Sequence, residues 1–504
     1  QTYLGLAPAD LNDDPWEQYA ASAGDNIETA HFRTHLRHLI EFDTDSKLTT
    51  TAYFNSFARD WLKLDKVGTA GAGAKKNPAQ FILSNRGVLN GTDLGDFKIK
   101  SNDREYYLYG IQSKLDKSFE TGDWQHDLTL GARLHADKID RFQDAFFFLN
   151  KRAGDFDFSN PDDRTGANDE GNREQETTAL ALFVHDRISS GNWTFTPGLR
   201  WEYVDWDYIR RDGTNKDGTK RSVNPVTGDG NYSVVAYGLG FEYEIEATQS
   251  KIFGGYHRGY SLPDPNGSRK GFDEETTDTV ELGYRYQDSN SVYAEAVVFY
   301  SALSDLIVPD SIAGASTGVP QTVGDTETLG LELLLGADFG MLLDQSFGIP
   351  TRLAFTYMDA TLDGDANSEK AESIFAAGKD GNQVPYVPKF QFSFTTGLEF
   401  EKFSTYATVT YVDDRFADAR NSSAQLSADD PSTVADESVP DARFGQLDSF
   451  VTVDLSAFYQ VNDDLELFAR ASNIFEEEYV TSHIPLGPRA GAPRLFSAGF
   501  NYRF

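Results

Sequence analysis

Along most of the chain, apolar and polar residues alternate with a period of two, which is the signature of β-strands with two unlike faces. From Trp193, one face carries Trp193, Phe195, Leu199, Trp201 and Tyr203, and the other Thr194, Thr196, Gly198, Arg200 and Glu202. Phe496, Ala498, Phe500, Tyr502 and Phe504 alternate with Leu495, Ser497, Gly499, Asn501 and Arg503, and Val451–Tyr459 repeats the pattern. About 17 such segments follow one another, more than an open soluble sheet usually holds. Their connections are of two kinds. Short polar turns fall at Asp43–Ser46, Thr121–Asp123, Ser189–Asn192, Gln287–Ser291 and Asn462–Asp464. Long Gly/Asp/Asn-rich loops fall at Asp65–Asp103, Phe142–Gln175, Arg211–Asn231, Asp363–Gln383 and Ala417–Arg443. Short turns at one end and long loops at the other are the asymmetry of an outer-membrane barrel. The pattern predicts an all-β fold, a large antiparallel transmembrane β-barrel.

Composition narrows this further. A soluble chain of 504 residues would ordinarily divide into domains, whereas a barrel grows by adding strands. No stretch reaches the roughly 18–20 apolar residues of a membrane helix; Ala145–Leu149 and Leu331–Leu335 are short runs. Zero cysteines exclude disulfides and thiolate metal sites. A net charge of −34 argues against nucleic acid as a partner. Periodicity does not say which face meets lipid. The overall polarity, with 24 Tyr and 37 Phe, favours an apolar outside and a wet lumen, because aromatic residues gather at membrane interfaces.

An odd strand count with an inward-running last strand makes the first strand run inward too. Gln1–Asn26 is then expected to be an extracellular loop and residues 27–504 the barrel. A 22-strand transporter would have about five further strands.

Ala471–Phe504 reads ASNIFEEEYVTSHIPLGPRAGAPRLFSAGFNYRF. It resembles the closing signature of TonB-dependent outer-membrane receptors through Asn473, Phe475, Tyr479, Gly491, Pro493, Arg494 and the terminal Phe504. GNWTFTPGLRWE (Gly191–Glu202), GGYHRGYSLPDP (Gly254–Pro265), TVELGYRY (Thr279–Tyr286), LGLELLLG (Leu329–Gly336) and VPYVPKF (Val384–Phe390) are similar to strands of that family, ferric citrate and other siderophore receptors in particular. TYLGLAPAD (Thr2–Asp10) resembles one of its surface loops. The resemblance covers essentially the whole chain. It implies a 22-strand receptor in the bacterial outer membrane, not an enzyme and without a cofactor, that imports an iron chelate as a monomer. It also implies TonB as energy-coupling partner, through a plug and TonB box that this sequence lacks. Other nutrients, such as a carbohydrate or cobalamin, fit the same fold, and a passive porin-like barrel is the alternative outside it.

An anionic chelate needs cationic donors on the inner wall, and Arg offers carboxylates two parallel hydrogen bonds. Arg33 and Arg37 share the polar face of the first strand with His31, His35 and Glu41, opposite Phe32, Thr34, Leu36, His38, Ile40 and Phe42. Arg59 and Arg104 border the next long loop on polar faces, and the resemblance places them near the substrate cavity. Arg173 stands at another strand mouth. The competing reading pairs such arginines with inward carboxylates. His31 and His35 fall about 13 Å apart on a strand, too far for one metal ion. Asn160–Asn172 has carboxylates for Ca²⁺ but not the spacing of a calcium loop. Tyr106, Phe146 and Phe147 suit either an aryl ligand or loop packing. His185 and Asp186 are adjacent and face opposite sides, so no catalytic set emerges.

Overall fold

A computed structural model describes residues 3–163, 172–210, 225–288, 292–308, 321–366, 373–427 and 438–504. The acidic loop Asn160–Asn172 lies mostly outside them, as do parts of the loops at Arg211–Asn231, Asp363–Gln383 and Ala417–Arg443 and of the turn at Gln287–Ser291.

Seventeen strands form one sheet in which each pairs antiparallel with the next in sequence. They are β1 Asn26–Asp43, β2 Ser46–Thr69, β3 Leu94–Thr121, β4 Trp124–Arg152, β5 Arg173–Ser190 and β6 Trp193–Arg210. Next come β7 Val226–Ile245, β8 Ser250–Ser261, β9 Glu275–Gln287, β10 Val292–Ser304, β11 Asp325–Asp338 and β12 Pro350–Asp363. The last five are β13 Phe390–Glu399, β14 Phe403–Val412, β15 Phe450–Gln460, β16 Leu465–Ser472 and β17 Leu495–Tyr502.

The outer face is the apolar one. Leu36, Ile111, Leu134, Leu182, Leu199 and Leu239 are all exposed, an arrangement that only lipid makes favourable. Further from the short turns, the same face becomes charged. Lys138, on the Leu134 side of β4, reaches Glu174 at 3.5 Å and also contacts Glu176. Strand ends beyond that level therefore stand in water.

Inside the wall, glycines on one strand receive aromatic rings from the next. A Cβ on Gly131 would lie 2.0 Å from Phe183, on Gly283 2.3 Å from Phe253, and on Gly330 2.1 Å from Phe299. The ring fills the space the glycine leaves and stiffens the wall without any core.

No pairing joins β1 to β17 among the described residues, and every β1 residue is exposed. The sheet nevertheless curls round. Tyr3 donates its backbone N–H to Asp25 (3.0 Å), beside the start of β1. Gly5 and Leu6 donate to Leu486 and Pro488 in the loop before β17 (2.8 and 2.9 Å), and Trp16 donates from its indole to Gly491 (3.0 Å).

The long loops differ from the expected ones in extent. The strands run into Asp65–Asp103 from both ends, because β2 runs to Thr69 and β3 starts at Leu94. β4 likewise continues to Arg152 and takes up the Ala145–Leu149 run. The cause is a hydrophobic cluster above the wall. Leu64, Val67, Phe97, Ile99 and Phe148 on these strand ends pack with Leu4, Leu6, Tyr19, Ile82, Leu89 and Leu486 from the loops. Burying these side chains, each worth roughly 1.5–3 kcal/mol, keeps the extended backbone ordered beyond the membrane.

The closing signature is architectural. Asn473, at φ 48°, donates to the carbonyls of Glu477 (2.9 Å) and Ala492 (3.1 Å) and accepts from the Glu477 N–H (2.9 Å). The Tyr479 ring stacks on Phe450 at 4.1 Å and covers Gly491, where a Cβ would lie 2.1 Å from it. Arg494 pairs with Glu476 at 2.6 Å. Phe475 and Phe504 are exposed, and Pro493 lies just before β17, outside any regular element.

Candidate anion-binding wall

Register alignment brings five arginines into a single row on the inner face. Arg59 of β2 is opposite Arg104 of β3, which is opposite Arg141 of β4. Arg141 is opposite Arg173 of β5, and Arg173 is opposite Arg210 of β6. With neighbouring strands about 4.8 Å apart, the row runs for roughly 20 Å round the wall. Like charges directly opposite destabilise a sheet, so five in succession is a costly arrangement unless an anion shares them.

The neighbours of Arg59 and Arg104 are neutral. Arg104 donates to the Tyr106 hydroxyl (3.3 Å) and Arg141 to the Gln143 amide oxygen (2.8 Å), while Arg59 lies 5.8 Å from the Trp61 ring centre. The Nε atoms of Arg59 and Arg104 are buried without a hydrogen-bond partner. Lower in the lumen the situation reverses. Arg200 pairs with Glu202 (2.8 Å), Lys251 with Glu242 (2.7 Å), and Arg285 with Glu295. The pairing of inward cations with inward carboxylates thus holds at Arg200, Lys251 and Arg285 and not at Arg59 and Arg104. On the outer face, within one residue of the same level, stand Asp60, Asp103, Glu105, Asp140 and Glu174. The wall is polarised here, cationic inside and acidic outside.

The loop between β8 and β9 folds against the row. Asp264 accepts from Gln175 Nε2 at 3.0 Å and lies 3.5 Å from Arg173 Nη2. Arg269 projects over Tyr208 at 5.2 Å, its stem lying on Gly228, where a Cβ would come within 2.6 Å of Arg269 Cγ.

Of the arginines expected from sequence, Arg59, Arg104 and Arg173 are therefore brought together. Arg33 and Arg37 are not. They face the lumen from β1, opposite Asn55 and Thr51, whereas the Arg59 level meets β1 at Thr29. That leaves them about 13 and 26 Å further down the strand. His31 hydrogen-bonds Asn55 at 2.6 Å. Arg141, Arg210, Arg269 and Asp264 were not anticipated. Arg141 and Arg210 each immediately precede an expected loop on a polar face, which was the available signal. Among the aromatics, Tyr106 lines the row, and Phe146 packs on Phe158 at 5.5 Å in the loop cluster. Phe147 lies 5.9 Å from Lys98. The described residues hold no group of three or more metal-ligating side chains.

Comparison with known proteins agrees with this architecture. The ferric citrate transporter FecA in its unliganded form superposes with a TM-score of 0.73 at 17% identity, over 99% of this chain and 65% of that one. The ferric-catecholate import receptor Fiu from E. coli K12 gives 0.69 at 14%, over 100% and 69%. The siderophore receptor PiuA from Acinetobacter baumannii gives 0.69 at 16%, over 95% and 65%. The chain thus spans about two thirds of the length of these structures. The family profile for the TonB dependent receptor-like β-barrel matches residues 2–474. The chain belongs to the TonB-dependent receptor family and forms a β-barrel of the bacterial outer membrane.

Proposed function

We propose that this barrel wall serves an importer of an anionic iron chelate, ferric citrate or a carboxylate-bearing siderophore, and that the arginine row receives the chelate. The single observation carrying this is the row itself: five guanidinium groups in register, with buried, unbonded Nε atoms at Arg59 and Arg104, in a protein of net charge −34. Guanidinium donors match carboxylate geometry, and the partly dry site strengthens each contact. The long-loop end faces the outside, so a ligand passes the loop cluster and meets the row before the ion-paired lower lumen. The role is binding and transport rather than catalysis, by a monomer with TonB as energy source. The likeness to transporters of ferric citrate and siderophores supports the choice of cargo.

The test is equilibrium binding to the protein in detergent, comparing ferric citrate with a neutral oligosaccharide and with cobalamin. Saturable binding of ferric citrate that weakens with salt is the expected result. Preferential binding of either uncharged nutrient would overturn the proposal.

A further inference from the structure

We propose that Asp264 is an internal ligand of the arginine row that sets how strongly anionic an incoming molecule must be. The inference rests on the proposed anion-binding function and adds a specificity-determining residue to it.

Asp264 is the carboxylate that the β8–β9 loop presents to the row. Its Oδ2 lies 3.0 Å from Gln175 Nε2 and 3.5 Å from Arg173 Nη2. The two wall side chains are enclosed, Gln175 being 5% and the Arg173 side chain 11% exposed, whereas that of Asp264 is 38% exposed. An anion approaching from the lumen can therefore reach the Asp264 side of the contact. The other oxygen, Oδ1, accepts from the Gly267 N–H at 2.8 Å and caps the loop's own short turn, Pro265–Ser268. One carboxylate thus serves both the turn and the wall. Displacing it from the wall leaves the turn intact and the loop able to move as a unit.

The loop is also a cation donor. Arg269, whose Nε is buried and unbonded, lies beside Tyr208 on the wall, and Tyr232 holds the loop through the Phe272 carbonyl at 2.8 Å. A ligand with one carboxylate would gain the corner only by losing to Asp264 an equal contact. A ligand with several carboxylates spread along the row replaces Asp264 and gains Arg59 and Arg104 as well. Asp264 therefore discriminates by charge density.

The experiment uses ferric citrate as probe on the wild type and on Asp264→Asn, which keeps an oxygen to accept from Gly267 and removes the charge. Affinity and tryptic cleavage after Arg269 or Lys270 are measured together. If the corner is self-occupied in most molecules, Asp264→Asn binds ferric citrate about fivefold more tightly, with the larger gain for a monocarboxylate such as acetate. Its loop is cut faster without ligand, and ferric citrate accelerates the same cut in the wild type. Binding by the wild type that Asp264→Asn leaves unchanged or weakens, with unaltered cleavage, overturns this inference and spares the proposed function. Absence of ferric citrate binding in both proteins overturns the two together.

Discussion

Arg59 and Arg104 are direct cross-strand partners on the inner wall, two like charges where a sheet would ordinarily place opposite ones. Stability cannot be the reason for them. Each substitution Arg59→Gln or Arg104→Gln should leave the unfolding temperature unchanged or slightly raised, and should weaken ferric citrate binding about tenfold or more, since a charge-assisted hydrogen bond contributes roughly 1.5–3 kcal/mol. Lysine at either position keeps the charge and loses the planar fork, so its affinity should fall in between. Binding unaffected by all four substitutions would remove these residues from the site.

The glycine–aromatic joints make a prediction about the wall itself. Gly131→Ala drives a methyl group to 2.0 Å from the Phe183 ring, whereas at Gly198 the nearest atom is 3.9 Å away. Overpacking of this kind costs roughly 1–3 kcal/mol. Gly131→Ala should lower the unfolding midpoint in denaturant, Gly198→Ala should not, and Phe183→Leu should rescue the former. Equal midpoints for the two alanine variants would mean the joint carries no strain.

Asn473 holds a positive φ and makes three hydrogen bonds through a buried side chain. Alanine there leaves two carbonyls and one N–H unsatisfied, at a cost of about 1–3 kcal/mol for each group that stays dry. Hydrogen exchange in residues 473–494 should accelerate by at least about tenfold, while strands β2–β6 keep their protection. Exchange spreading to the whole barrel would instead show that this loop governs global stability.

His483 lies in the same loop, outside the membrane, with Nδ1 3.0 Å from the Phe444 carbonyl and its backbone N–H on the Tyr386 hydroxyl. Burial, with Arg415 nearby, pulls its pKa down to about 4. Burial also pushes the Tyr386 hydroxyl up to about 12, so this partner stays neutral. A folded pKa below the unfolded one means that the unfolded loop binds the proton first. The stabilisation is therefore complete above about pH 6.5 and is lost as pH falls toward 4, by roughly 3 kcal/mol. Asp418, whose carboxyl burial raises, opposes this in part on acidification. Loop opening, read by exchange or proteolysis, should increase between pH 6.5 and 4. His483→Gln should flatten that profile, and an unchanged slope would assign it to other groups.

Much of the fold was legible because a membrane wall is a one-dimensional object. Each strand needs one apolar face, and Trp193–Tyr203 or Phe496–Phe504 declares it residue by residue. Register with a neighbour is a different matter. Arg59, Arg104 and Arg173 could be singled out by face and position, but Arg141 and Arg210 joined them only when the strands were aligned. Arg33 and Arg37 have the same parity as the row and belong to another level of the wall.

The loops mark the other boundary. Polar composition suggested that Asp65–Asp103 and Phe142–Gln175 leave the sheet early, yet Phe97, Ile99 and Phe148 carry the strands onward because the loop segments around Leu4, Ile82 and Leu486 bury them. Leu4 and Leu486 come from opposite ends of the chain, so no local pattern announces them. The sequence by itself determined the alternating wall, its apolar outside and its closing signature, since these depend on near neighbours and on solvent. Only the tertiary structure decided which charges stand side by side and where Asp264 comes to rest. Those follow from inter-strand register and loop packing, which are set by contacts between distant parts of the chain.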